Sequence, residues 1–352
     1  MGMSELLFPA QLACQDGASA VACRSKHRRC ARAAETASRV QSELGGPTEQ
    51  MLILAVVTGW AFASETVPTT REIPTTREIT PGVHMPYVNC GGVHSHPSNF
   101  TAWMIAGGRG LDTALMYGDD VQLLMGNAIK ASGLPRDKLF VTSKVPCCPA
   151  ASVSWCSWYE KKYAELDAFT RGEIDLRLLG LDSVDLMLLH WPCDTMADTV
   201  KTYRALERFQ QAGLARAIGI SNFNASAIDA LYAAGLRVPP AVNQCGFSIG
   251  GHSHSALGRD IATLRKCEEL NITYSAYSPL GGLSDVNVLG NPTVLGIGKA
   301  HNKTSAQVAL RWVTQQGVVA VTASNKSSYD KEDLDIYDFT LSEAEMTALS
   351  AI

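Results

Sequence analysis

From about Ile79 onward, short β-branched and apolar runs alternate with longer amphipathic stretches, and no other feature constrains the fold of this chain as tightly. A run of four to eight such residues reads as a buried strand, and an amphipathic stretch of ten or more reads as a helix. Their regular alternation gives repeated βα units, whose strands pair in parallel beneath a layer of helices. Eight strands are predicted: Tyr87–Cys90, Gly110–Asp112, Leu139–Lys144, Val184–His190, Ala215–Ser221, Ala241–Gln244, Ile272–Ser278 and Val318–Thr322. Residues 80–352 then have the length of one closed barrel, which takes roughly 250 residues. The expected fold class is α/β, a (β/α)8 TIM barrel as a single domain with an N-terminal extension over residues 1–79.

A parallel barrel gathers the C-terminal ends of its strands at one mouth, so polar residues at strand ends converge however far apart they lie in sequence. Four stand out: Asp112 and Lys144 end the second and third predicted strands, His190 ends the fourth, and Tyr117 follows Asp112 by five residues. Taken singly, Lys144 or His190 reads as a solvated or satisfied core group, Asp112–Lys144 as a structural ion pair, and Tyr117 as a packing aromatic. All four at successive strand ends point instead to an active site. A phenol has a pKa of about 10, too high for an efficient acid near neutrality. A lysine ammonium beside Tyr117 is expected to lower it, with Asp112 holding Lys144 charged and His190 serving as a neutral hydrogen-bond donor.

The chain resembles the aldo-keto reductases through a series of blocks in that family's order: Asp112-Thr113-Ala114 with Tyr117-Gly118, Thr142-Ser143-Lys144, Asp185-Leu186 with His190-Trp191-Pro192, Ile218 to Phe223, Val242-Asn243-Gln244, Ala276 to Gly281, Ala306 to Trp312 and Asp338 to Ser342. The resemblance implies NAD(P)H-dependent reduction of aldehydes or ketones to alcohols, with hydride from nicotinamide and a proton from Tyr117. It assigns Asp112, Tyr117, Lys144 and His190 to catalysis and Trp191 to the substrate pocket. It assigns Ser221, Asn222 and Gln244 to the nicotinamide carboxamide, Tyr277 to stacking on its ring, and Ser278 and Leu280, with Gly281 and Gly282, to the pyrophosphate. Ser324 and Lys326 are the expected contacts of a 2′-phosphate, so NADPH is the expected cofactor and NADH the alternative. Ala323 and Tyr329 stand where NADPH-preferring members carry a lysine and an arginine, so the expected preference for NADPH is a hundredfold or less, about 2.8 kcal/mol. No G-x-G-x-x-G follows an early strand, which argues against a Rossmann dehydrogenase. The residues do not name the carbonyl compound.

A net charge of −4 without a basic stripe excludes a nucleic-acid partner; the expected partner is a small carbonyl substrate, taken by a monomer with no stable membrane span in the barrel. His252-Ser253-His254 lacks a third ligand, so no metal is assigned, and a metal-dependent barrel hydrolase is disfavoured. A nucleotide-binding sensor or channel-associated subunit with little turnover is the alternative function; the intact four residues weigh against it. Cys147, Cys148 and Cys156 cluster after Lys144 and are expected to form a loop-pinning disulfide in an oxidising compartment, or free thiols otherwise. The apolar run 51–63 ends in Ala-x-Ala like a signal-peptide core, though far from Met1. It implies the secretory pathway or an organelle if it acts as a signal, and the cytoplasm otherwise. Residues 68–79 repeat Pro-Thr-Thr-Arg-Glu-Ile and read as a linker whose second copy supplies a hairpin under the barrel.

Overall fold

The computed structural model describes residues 76–92, 98–147, 162–163 and 166–352. The segment 51–63, the first repeat copy at Pro68, and Cys148 and Cys156 lie outside the described residues. The second repeat copy enters a hairpin, β1 (Thr76–Thr80) against β2 (Val83–Pro86), antiparallel. Eight parallel strands follow: β3 (Val88–Gly91), β4 (Gly110–Asp112), β5 (Phe140–Val145), β6 (Val184–Leu189), β7 (Ala215–Ser221), β8 (Val242–Gly246), and, after a two-residue pair β9 (Ser253–His254) and β10 (Arg259–Asp260), β11 (Thr273–Tyr277) and β12 (Val319–Thr322). They close as a barrel, with β12 hydrogen-bonded to both β3 and β11. The eight predicted strands are these eight: Gly110–Asp112 and Ala215–Ser221 match residue for residue, and the others differ by one or two residues at their ends.

The hairpin seals one end of the barrel. Ile79, Val83 and Met85 are buried against Phe140, Leu186, Ala217 and Val319, and Arg77 donates to Thr273 Oγ1 at 3.0 Å and to the Gly317 carbonyl at 2.8 Å. Each apolar side chain so buried is worth about 1.5–3 kcal/mol, which ties the start of the described fold to strands nearly 200 residues away.

Most of the outer helices begin where the sequence supplies side-chain acceptors for otherwise unpaired N–H groups. Asn99 caps α1 (Phe100–Ala106), and Asp167 caps a helix that follows α2 (Asp119–Ser132), namely α3 (Ala168–Leu179). Thr195 and Asn224 cap α4 (Met196–Gln211) and α5 (Ala225–Ala233), and Asp260 caps α6 (Ile261–Glu269). Thr304 with Gln307 forms a capping box at the helix after α7 (Pro292–His301), which is α8 (Ser305–Gln315). The last barrel strand is followed by α9 (Ser327–Leu334) and then α10 (Glu343–Ser350). Among the described residues no helix is long and apolar enough to cross a membrane.

Candidate active site

β4 ends at Asp112, which pairs in register with Thr142 of β5, and Lys144 lies two residues further along β5, near its end. Lys144 is wholly buried, and its ammonium bonds the Asp112 carboxylate and donates to the Thr113 carbonyl at 2.9 Å. A single turn of 3-10 helix, Leu115–Tyr117, carries Tyr117 back over this pair, with Lys144 Nζ 5.5 Å from the ring centroid. His190, just past β6, meets the Tyr117 ring edge-on at 5.6 Å and stacks on Trp191 at 3.8 Å. The structure thus brings the four strand-end residues and Trp191 into one cluster.

Burial dominates the electrostatics. It pushes the Tyr117 phenol above its usual value, with the Asp112 charge adding to the effect, so the lowering expected from Lys144 does not occur in this state. Asp112 neutralises much of the lysine field, which is why the ammonium fails to offset desolvation. Lys144 is itself drawn below the ordinary lysine value by burial, against the pull of Asp112 and Asp175. His190 is held well below the usual imidazole value by burial and by the Lys144 charge, so it is neutral near pH 7. Among the described residues its buried Nδ1 has no hydrogen-bond partner.

Behind Lys144 lies a buried polar cluster that sequence reasoning missed. Gln122 of α2 accepts from Thr113 Oγ1 and donates to the Asp175 carboxylate of α3, and to Ser143 Oγ at 3.4 Å. Asp175 is fully buried, and burial raises its pKa to about 7 against the opposing hydrogen bonds of Ser143 and Gln122.

The predicted cofactor residues form a second group along the mouth. Ser221 pairs in register with Gln244, and its hydroxyl donates to the Gln244 carbonyl at 2.7 Å. Gln244 donates to Asp112 at 2.7 Å, and Asn222 donates to the His190 carbonyl at 3.0 Å. The Tyr277 hydroxyl donates to Asn222 Oδ1 at 2.8 Å and accepts from Arg259 at 3.1 Å, an arginine not singled out from the sequence. Asn222 and Ser278 both have left-handed backbone, φ 63° and 54°, a conformation costly for non-glycine residues and common at functional sites. Beyond Leu280, a cavity of about 720 Å³ runs to Ser324, two residues past β12. Ser324 Oγ donates to the Lys326 carbonyl at 3.0 Å, and Lys326 Nζ lies 4.9 Å over the Tyr329 ring. This string of amide, hydroxyl and phenol groups leading into a roomy cavity supplies donors and acceptors that could hold a nucleotide.

Cys147, three residues after Lys144, is disulfide-bonded to Cys193, three residues after His190, with Cα atoms 5.1 Å apart. The bridge joins two mouth loops, where a loop-pinning bond within the Cys147, Cys148 and Cys156 cluster was one expectation. Cys193 lies on a different βα connection, so only the closed barrel brings the two sulfurs together.

An eight-stranded parallel barrel with such a cluster at its mouth defines a class of oxidoreductases. Residues 101–352 match the Aldo/keto reductase family, and the chain belongs to it. It is 35% identical over 259 residues to a 9,11-endoperoxide prostaglandin H2 reductase of Trypanosoma cruzi, covering 72% of this chain and 82% of that protein. To a morphine 6-dehydrogenase of Pseudomonas putida it is 36% identical over 286 residues, 77% of this chain and 88% of the relative. Among solved structures, a Bombyx mori aldo-keto reductase in complex with NADP superposes with a TM-score of 0.65 at 25% identity, covering 79% of this chain and 92% of that one.

Proposed function

We propose that this oxidoreductase reduces aldehydes or ketones to alcohols with NAD(P)H, using Asp112, Tyr117, Lys144 and His190 as its catalytic residues. The carrying observation is the buried Lys144 ammonium, bonded to Asp112 and facing the Tyr117 ring, with His190 meeting that ring edge-on. Bound NAD(P)H would supply a hydride to the carbonyl carbon. His190, kept neutral, orients the carbonyl oxygen, and Trp191, stacked on His190, forms an apolar wall of the substrate pocket. Tyr117 Oη then gives its proton to the developing alkoxide. A phenol with a raised pKa stays protonated at neutral pH, and an alkoxide is a stronger base than a phenolate, so the transfer runs downhill. The Lys144 charge stabilises the phenolate that remains. Ser221, Asn222 and Gln244 hold the carboxamide, and Tyr277 covers the ring. Ser278 and Leu280 face the pyrophosphate, and Ser324 and Lys326 lie at the adenosine end.

Purified protein mixed with NADPH or NADH and a panel of aldehydes and ketones, followed by nicotinamide absorbance, tests this reading. Turnover with at least one carbonyl supports it. Nucleotide binding without turnover across the panel points to a sensor instead.

A further inference from the structure

The helix layer behind Lys144 holds a carboxylate where packing alone calls for an apolar side chain. Asp175 of α3, Gln122 of α2, Ser143 and Thr113 are all wholly buried. Their hydrogen bonds form one chain from α3 to the ammonium. Gln122 donates to Asp175 and Ser143 and accepts from Thr113 Oγ1, and the Thr113 carbonyl accepts from Lys144 Nζ at 2.9 Å. Among the described residues, the charge that bears on Asp175 is that of Lys144. The other elements packed against α3 bring the neutral Gln122 from α2, Leu115, Met116 and the Tyr117 phenol from the 3-10 turn, and Phe209 from α4, which lies on Gly172 and Phe169. An amide in place of the acid would satisfy Gln122 equally with no charge to desolvate, so hydrogen bonding alone does not account for a carboxylate there. What the carboxylate adds is a negative charge acting on Lys144, second to that of Asp112. Burial places its pKa at about 7, so above that value it is ionised and favours the Lys144 ammonium against the desolvation that works to remove its proton.

We propose that Asp175 is a positioning residue for carbonyl reduction that acts through Lys144: its hydrogen-bond chain fixes the ammonium beneath Tyr117, and its negative charge keeps that ammonium protonated in alkaline solution. The proposal rests on the catalytic reading of Lys144 and Tyr117 above and adds to it a residue one layer further from the substrate.

The test is the pH dependence of kcat and KM for one accepted carbonyl, measured on the full chain as parent, Asp175→Asn and the smaller, neutral Asp175→Ser. Both variants should lose kcat at lower pH on the alkaline side than the parent, with the limb displaced by about half a pH unit or more and KM unchanged within about twofold. Well below pH 7, where the parent carries a proton on Asp175, parent and Asp175→Asn should turn over at rates within about twofold of each other. An alkaline limb that stays in place in both variants overturns the proposal, as does an equal loss of rate at every pH, the mark of a merely structural role. Activity retained by Lys144→Met rejects the catalytic reading itself, and the proposal with it; a limb unmoved in active Asp175 variants rejects the role of Asp175 alone.

Discussion

Asp175→Asn should make the protein more stable at alkaline pH and leave it unchanged in acid. Asp175 is fully buried behind Lys144, where Gln122 donates to its carboxylate. Burial raises its pKa from 3.8 to about 7. The folded state therefore keeps a proton there that the unfolded chain releases near pH 4. Between those values the native state binds more protons, so stability falls as pH rises, and the full penalty is present above about pH 7. At about 1.36 kcal/mol for each pH unit separating the two values, the penalty comes to about 4 kcal/mol. Asparagine keeps an oxygen to accept from Gln122 Nε2 and carries no charge to desolvate. Urea unfolding of parent and variant at about pH 8 and about pH 4 measures the difference. The variant should gain up to about 4 kcal/mol at the higher pH and nothing at the lower. An equal effect at both pH values, or a less stable variant at the higher one, would refute the reasoning.

Lys144→Met should abolish reduction and cost about 3–5 kcal/mol of stability, because it leaves the Asp112 carboxylate buried without its cation; calorimetry and turnover assays check both. The alkaline limb of kcat should fall below the ordinary lysine value of 10.5, since burial lowers the Lys144 pKa and the ammonium is lost as pH rises through it. A pH–rate profile with its limb at or above that value would contradict the assignment. Reducing the Cys147–Cys193 bridge, which spans 46 residues, should destabilise the fold by about 4 kcal/mol, read as a shift in unfolding midpoint between oxidised protein and Cys193→Ser.

The barrel and its four candidate catalytic residues were legible in the sequence because strand ends mark their own position. Once Leu139–Lys144 and Val184–His190 read as strands, Lys144 and His190 had to share a mouth with Asp112. What was hidden depended on packing between connections. Gln122 and Asp175 sit on helices where a polar residue ordinarily faces water, and nothing local to either shows that both turn inward to Ser143. Cys193 carries no spacing signal toward Cys147. Arg259 reaches Tyr277 only through the connection between β8 and β11, where the sequence departs from the family pattern. The direction of the Tyr117 shift was also out of reach, since it turns on desolvation, with the Asp112 charge added, outweighing one neighbouring cation.

The central claim is that Tyr117 delivers the proton to the reduced carbonyl oxygen. Tyr117→Phe removes the hydroxyl while keeping the ring that meets His190 edge-on. The decisive measurement is single-turnover reduction of a carbonyl that the parent accepts, followed by nicotinamide absorbance, alongside the nucleotide dissociation constant of each protein. The account predicts a rate loss of about a hundredfold to ten-thousandfold, about 2.7–5.4 kcal/mol of barrier, with nucleotide affinity unchanged within about twofold. A variant that keeps a tenth or more of the parent rate would contradict it.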